Sequence, residues 1–420
     1  MFSNNSRFDL STTLIHFFRS IHEDSDNCPR LPEMFGWDAI DVRDYPLSPF
    51  FLMRNAIRYG KLWAGWSHRK GNHTIYGNDS AVCFTEMPIA AFIEAGIARS
   101  EKSQAMSPYG LVFDRNALTR LGARKAIYGI DGIPIITTDD QGRRFIDQSQ
   151  LPLLEQYRYV AHNPSGEHAS DWTHEREWRW PLRNGQLYRS DKALEMSEFE
   201  GLNLNTNILH GIGIIVKTTE QKEQIQRDIL MKYDRRDVSP GHFSYILTIN
   251  DVDKSLNLQD IKTLQQLIAT SKIDLQQYVQ QYLHRPSDEQ VNATYKVANK
   301  IANKIKDENA INPNSEPGGC WLWLTDNLHP VTRCFVGTEY LQVTENGKYL
   351  LHIPHFNNYR NLRQIEDLTQ QFAEQLTAEF GVTCGFFSVE RYYNPNKVPF
   401  HLGTHETSHY MNISNRPEDY

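Results

Sequence analysis

Residues 208–216, ILHGIGIIV, are apolar at almost every position, which reads as a strand buried within a sheet. The sixteen residues 218–233, TTEQKEQIQRDILMKY, follow as a helix with a threonine N-cap, and residues 243–249 close the unit with another strand. Upstream the same mixture recurs in short pieces. Residues 12–19, TTLIHFFR, read as a strand with Leu14, His16 and Phe18 on one face, where a lone histidine is more often a satisfied core residue than a functional one. Residues 50–61 have the helical spacing of Leu52, Ala56 and Tyr59 and a C-cap at Gly60. A buried strand is predicted at 81–85 (AVCFT), a helix at 88–98, a strand at 109–113 (YGLVF), a helical turn at 115–121 and a strand at 125–128. Short strands in mixed order favour an α+β domain over a doubly wound nucleotide fold, and no G-x-G-x-x-G or P-loop pattern is present.

The rest of the chain divides into two further parts. Residues 251–311 read as a helical connector, poor in strand formers from 258 to about 307, with Ile261, Leu264, Leu267 and Ile268, then Leu275, Val279 and Tyr282, at core spacing and a second helix over 289–306. Its Lys296, Lys300 and Lys304 form a stripe that is more simply a solvated face than a nucleic-acid rail. After the linker 312–319 (NPNSEPGG), a small α+β domain with a recognition or regulatory role is expected over 312–420. It has a strand in GCWLWLTD, a hairpin around Asn346-Gly347, a helix over 362–380 and a strand in CGFFSV. The first domain accordingly covers 1–250. Five scattered cysteines with no C-x-x-C argue against a disulfide framework or a structural zinc site; Trp321, His329, His401 and His405 are too dispersed for a metal centre. A net charge of −7 gives no global attraction to nucleic acid. No run reaches the length of a membrane span and no secretion signal is visible, so the cytoplasm is the expected compartment and no membrane partner is expected.

The most suggestive stretch is 157–182, YRYVAHNPSGEHASDWTHEREWRWPL. Over 171–180 it alternates like a strand, placing Trp172, His174, Arg176, Trp178 and Trp180 on one side and Thr173, Glu175, Glu177 and Arg179 on the other. On that reading the two carboxylates stand roughly 7 Å apart at Cα, with Arg179 able to offset their repulsion. The loop 163–170 before them is rich in Gly, Pro, Ser and His and suited to folding over a ligand. The plainer interpretation is a strand with a charged outer face.

Glu175-x-Glu177 after a flexible loop resembles the carboxylate pair of ADP-ribosyltransferases. Together with TLIHFFRS, RNAIRYGKL, VCFTEMP, YGLVFDRNAL, GARKAIYG and WTHEREWRWP, residues 10–220 look like abortive-infection and phage-resistance proteins of bacteria and, more remotely, DarT-type toxins. HEREWR and VCFTE are the most specific pieces. The resemblance implies an ADP-ribosyltransferase-like mixed sheet and an NAD-dependent mono-ADP-ribosyltransferase toxin in anti-phage defence. NAD would be its substrate, with a macromolecular acceptor, RNA or DNA ahead of protein, and room for an antitoxin or chaperone as partner.

Carried over, the resemblance makes Glu177 the catalytic carboxylate under the nicotinamide ribose and Glu175 the group acting toward the acceptor. His16 would bond the adenosine-side ribose, Thr85 would support the nicotinamide end, Tyr109 would stack on nicotinamide, and Arg54 would meet a phosphate. The chemistry is coherent: breaking the N-glycosidic bond builds positive charge on the ribose, which a carboxylate stabilises, while nicotinamide leaves from an already cationic nitrogen. The chain departs from better-known members in lacking a Ser-Thr-Ser run after the second strand and in carrying histidine where arginine modifiers carry arginine. NAD hydrolysis to water and a non-enzymatic phage-component sensor on the same fold are the alternatives. Glycoside hydrolysis and metal-dependent nuclease chemistry fit less well.

Overall fold

In the computed structural model the described residues are 11–22, 25, 46–69, 71–101, 106–130, 132, 134–162, 173–183, 201–252, 260–271, 278, 281, 286–345, 347–397 and 399–403. The predicted strands gather into one seven-stranded mixed sheet: β1 (Thr13–Phe17), β2 (Ala81–Thr85), β3 (Gly110–Asp114), β4 (Arg124–Lys125), β5 (Glu177–Pro181), β6 (Ile212–Val216) and β7 (Phe243–Thr248), in the order β7-β6-β3-β1-β2-β5-β4. Adjacent strands run antiparallel except β6 and β7, which are parallel and joined through α4 (Thr219–Asp234). β1, β2 and β5, which carry three of the predicted site residues, lie side by side.

Both faces of the sheet are covered, as the apolar run of β6 requires. One face carries Leu14, Phe84, Leu111, Phe113 and Ile214 and packs on α1 (Pro49–Tyr59) and α4 through Phe51, Ala56, Ile225 and Ile229. Helix α1 starts at Ser48, whose hydroxyl accepts from the Phe51 N–H, and stops at Gly60, which takes the left-handed φ of +68°. The other face carries Ile15, Val112, Ile215 and Leu247 and packs on α2 (Ile89–Glu101) and on α5 (Ile261–Ser271) through Phe92, Ile93, Leu264, Leu267 and Ile268. A short helix, α3 (Arg115–Arg120), is capped by the Asp114 carboxylate.

A second sheet, five-stranded, is built from β8 (Gly318–Leu324), β9 (Leu341–Val343), β10 (Tyr349–Leu351), β11 (Cys384–Glu390) and β12 (Phe400–Leu402), all neighbours antiparallel. Its core takes in α6 (Asp288–Glu308), α7 (Pro330–Phe335) and α8 (Leu362–Phe380). The stretch expected as a helical connector therefore divides between the two cores: α5 belongs to the first sheet, and Ala298, Ala302 and Ile305 of α6 belong to the second. Residues Leu275, Val279 and Tyr282 lie outside the described residues. Lys296, Lys300 and Lys304 are exposed, as a solvated stripe should be.

Helix α4 joins the two cores. It contributes Met231 to the second core, and the carboxylate of Asp234 accepts from Arg333 Nη1 and Nη2 at 2.7 and 2.9 Å and from the Tyr349 hydroxyl at 2.5 Å. Asn327, fully buried, donates to the Arg227 carbonyl at 3.0 Å and to the Tyr349 hydroxyl at 3.2 Å. Truncating it leaves both acceptors without that donor in a dry interface. Asn327→Ala is expected to lower stability by about 1–3 kcal/mol in chemical denaturation, and an unchanged midpoint would contradict this account of the joint.

Candidate functional site

The ladder of β2 against β5 runs from Glu177↔Thr85 to Pro181↔Ala81, and β1 meets β2 in register at Ile15↔Thr85. Opposed residues share a face, so Ile15, Thr85 and Glu177 lie on one side, with Cys83 and Arg179, while Trp178 and Trp180 turn to the other side and pack on its core. The indole N–H of Trp178 donates to Glu86 and that of Trp180 to the Leu121 carbonyl. The tryptophan half of the predicted alternation thus holds from Trp178 onward.

The carboxylate half needs correction. Strand β5 begins at Glu177; Thr173–Glu175 form a 3-10 turn, and Arg176 between the two glutamates takes a φ of +48°. Glu175 therefore does not share a strand face with Glu177. Thr85 explains why: its buried hydroxyl donates to the Glu175 carbonyl at 2.5 Å and accepts from the Met87 N–H, which ends the ladder there and turns the preceding chain away. Thr85 is thereby a positioning residue for the carboxylate segment. A left-handed arginine is strained by its Cβ, and such strain is held only where the surroundings over-determine it.

Glu177 is fixed from three directions. Its carboxylate accepts from Arg179 Nε at 2.8 Å and Nη2 at 3.3 Å, its backbone N–H donates to the Tyr128 hydroxyl at 2.9 Å, and the Cys83 thiol lies against it. Arg179 also donates to the Tyr157 and Tyr159 carbonyls at 2.7 and 3.2 Å. Burial works most strongly against this charged guanidinium, but Glu177, Cys83 and Tyr128 together outweigh it and Arg179 titrates above its ordinary value. Burial, then the Glu177 charge, pushes the Cys83 thiol well up, so it stays protonated. Burial likewise pushes Tyr128 up to about 12. The Glu177 side chain is 17% exposed, within reach of a ligand and away from bulk solvent. Glu175 holds Arg99 of α2 at 2.9 Å.

His16 lies one position past the Ile15 rung. Its Nδ1 is 2.9 Å from the Cys83 carbonyl, and its ring meets Phe18 and Phe84 edge-on. A carbonyl only accepts, so Nδ1 carries the proton and Nε2 is left as an acceptor with no bond among the described residues. Burial lowers its pKa to about 4, outweighing the Cys83 bond. The ring is therefore neutral at pH 7 and suited to accept from a hydroxyl. NMR titration is expected to show no His16 inflection above about pH 5, and an inflection near its ordinary value of 6.5 would contradict the burial. Strand alternation turns the imidazole to the face of Leu14 and Phe84, opposite that of Glu177, so the two do not touch; the Cys83 backbone carbonyl bonds the first and its thiol faces the second.

Two predicted residues sit elsewhere. Arg54 is almost wholly buried in α1, with Nε and Nη2 on Asp228 of α4 at 2.8 and 3.1 Å, so it serves the helix packing and cannot meet a phosphate. Tyr109 is 3% exposed, accepts from Gln221 Nε2 at 2.9 Å and packs against Phe50, so it presents no face for stacking on nicotinamide. The loop 163–170 and Trp172 lie outside the described residues. The sequence reading missed Arg99, Cys83 and Tyr128; VCFTE contains Cys83, but nothing local distinguishes such a thiol from a core residue. Among the described residues no group of three or more His, Cys, Asp or Glu is placed to hold a metal ion.

Residues 288–413 match the family described as a protein of unknown function (DUF4427). The match starts at the first residue of α6 and takes in α7, α8 and the whole second sheet. No curated protein and no solved structure matches the chain. No helix among the described residues is long and apolar enough to cross a membrane.

Proposed function

We propose that the chain is an NAD-dependent mono-ADP-ribosyltransferase acting as a toxin in bacterial anti-phage defence, with RNA or DNA ahead of protein as acceptor. The observation that carries this reading is the Glu177 carboxylate on β5, only 17% exposed and pinned by Arg179 Nε and Nη2 beside the Cys83 thiol. Cleavage of a ribosyl-pyridinium bond asks for negative charge held still beneath the carbon that becomes cationic. Glu177 fills that role. Glu175, in its own turn on Arg99, is separate from Glu177 and free of the strand's register, which suits a group that addresses the acceptor.

Incubation of the purified chain with adenylate-labelled NAD and separate pools of RNA, DNA and protein tests the reading. Label on a nucleic-acid pool is the expected result. Free ADP-ribose alone would make the protein an NAD glycohydrolase. A binding module that performs no chemistry is the second reading, favoured by the fact that both Glu177 oxygens already have a partner in Arg179; it predicts intact NAD in every pool.

A further inference from the structure

The segment 391–397 follows β11 and falls inside the matched region 288–413. Its first residue, Arg391, takes a left-handed φ of +63°, which its Cβ disfavours. The backbone holds that strain: the Arg391 N–H donates to the Pro317 carbonyl at 2.9 Å, and the Tyr392 carbonyl accepts from the Gly319 N–H at 2.8 Å. Further on, the Asn394 side chain accepts from the Asn396 N–H at 2.9 Å and the Asn394 carbonyl from the Lys397 N–H at 3.2 Å. Between these two fixed points Tyr392 and Tyr393 stand in solvent, 48% and 72% exposed. Rings this exposed add little to the core, and a backbone tied at both ends presents them with little left to order on binding.

The charges around the rings select the partner. Arg360 belongs to the same edge, because its carbonyl accepts at 2.9 Å from the N–H of Glu316, the neighbour of the Pro317 that holds Arg391. Arg360 and Arg391 are both exposed and form no ion pair among the described residues. The nearby carboxylates are already engaged: Glu316, Glu366 and Glu390 all meet Arg363, and Glu390 also meets His401 at 2.8 Å. Unspent positive charge beside bare aromatic rings fits a partner that is both anionic and planar. Single-stranded nucleic acid is such a partner, since its bases are free to lie on tyrosine faces while its phosphates take the arginines. A duplex keeps its bases stacked on one another. We propose that this edge of the second sheet is a docking surface for single-stranded RNA or DNA, with Tyr392 and Tyr393 under bases and Arg360 and Arg391 on phosphates. The inference does not depend on the NAD reading; it gives the nucleic-acid acceptor named there a place to bind.

Fluorescence anisotropy of a labelled oligothymidylate, a labelled oligouridylate and a duplex of the same length, each titrated with the full chain in the absence of NAD, tests the proposal. Wild type is expected to bind the single strands more tightly than the duplex. Tyr392→Ala and Tyr393→Ala should each weaken single-strand binding by about 5- to 150-fold, the effect of losing one stacked base, whereas Tyr392→Phe and Tyr393→Phe keep the ring and the affinity. Arg360→Gln and Arg391→Gln should each flatten the dependence of log affinity on log salt by about 0.7. The denaturation midpoint should stay in place in all of these variants, which separates a lost contact from a lost fold. A wild type that binds neither single strand overturns the proposal and leaves the tyrosines to a protein partner. Alanine variants that bind as wild type does also overturn it, as does equal binding of single strand and duplex that responds only to the arginines. With no NAD present, failure here leaves the transferase reading to its own assay, and absence of label transfer there leaves this surface standing.

Discussion

Replacing Asp228 by alanine is expected to lower the unfolding free energy by about 3–5 kcal/mol, a large share of what a domain usually has. The carboxylate lies between α1 and α4 and holds two guanidiniums, Arg54 Nε at 2.8 Å and Arg58 Nε at 2.7 Å, with all three side chains almost completely out of water. Its removal takes a buried counter-charge from two buried cations at once. Arg54→Met should be milder, because Asp228 keeps Arg58 and the methionine fits an apolar surround that includes Phe50. Urea denaturation of the two variants ranks them. A loss for Arg54→Met as large as that for Asp228→Ala, or an NAD-binding defect confined to Arg54→Met, would mean that Arg54 has a task beyond this packing.

Glu177→Gln carries the second large effect, and it acts on two quantities. Removing the negative charge from beneath the developing cation is expected to slow nicotinamide release by about 10²- to 10³-fold. The same change weakens the pairing of Arg179, which is 3% exposed and keeps the Tyr157 and Tyr159 carbonyls, so stability should also fall, by about 1–2 kcal/mol. A toxicity assay alone would confuse the two. Rates have to be taken on protein shown to be folded, and the contrast with Glu175→Gln is informative. That variant leaves the Glu177–Arg179 pair intact and is expected to retain nicotinamide release while losing transfer to the acceptor. If Glu175→Gln and Glu177→Gln lose nicotinamide release equally, the division of labour between them is wrong.

The elements easiest to foresee were those whose local signals agree. The apolar runs of β2 and β6, the glycine that stops α1, the threonine that caps α4 and the spacing of Leu362, Leu368, Phe372 and Leu376 in α8 each bind local chemistry to a packed face. The site was legible in part. Glu177 and His16 fall on β5 and β1, the two strands that flank β2, with their side chains on opposite faces. What the alternation of T-H-E-R-E-W-R-W hides is the left-handed Arg176, since a period of two says nothing about where Thr85, ninety positions away, will end the ladder. Arg54 and Tyr109 misled for a related reason: Asp228 and Gln221, the partners that bind them into the core, are separated from them by 174 and 112 positions. The membership of α6 in the second core is equally nonlocal, resting on contacts with α7 and α8.

The most direct measurement of the central claim is nicotinamide release from NAD by the purified full chain, followed over time beside folded Glu177→Gln. The account predicts steady release by the wild-type protein and a residual rate at least a hundredfold lower in the variant. Release that is undiminished in folded Glu177→Gln would contradict the role given to that carboxylate, and no release by wild type with every acceptor pool supplied would contradict the enzyme itself.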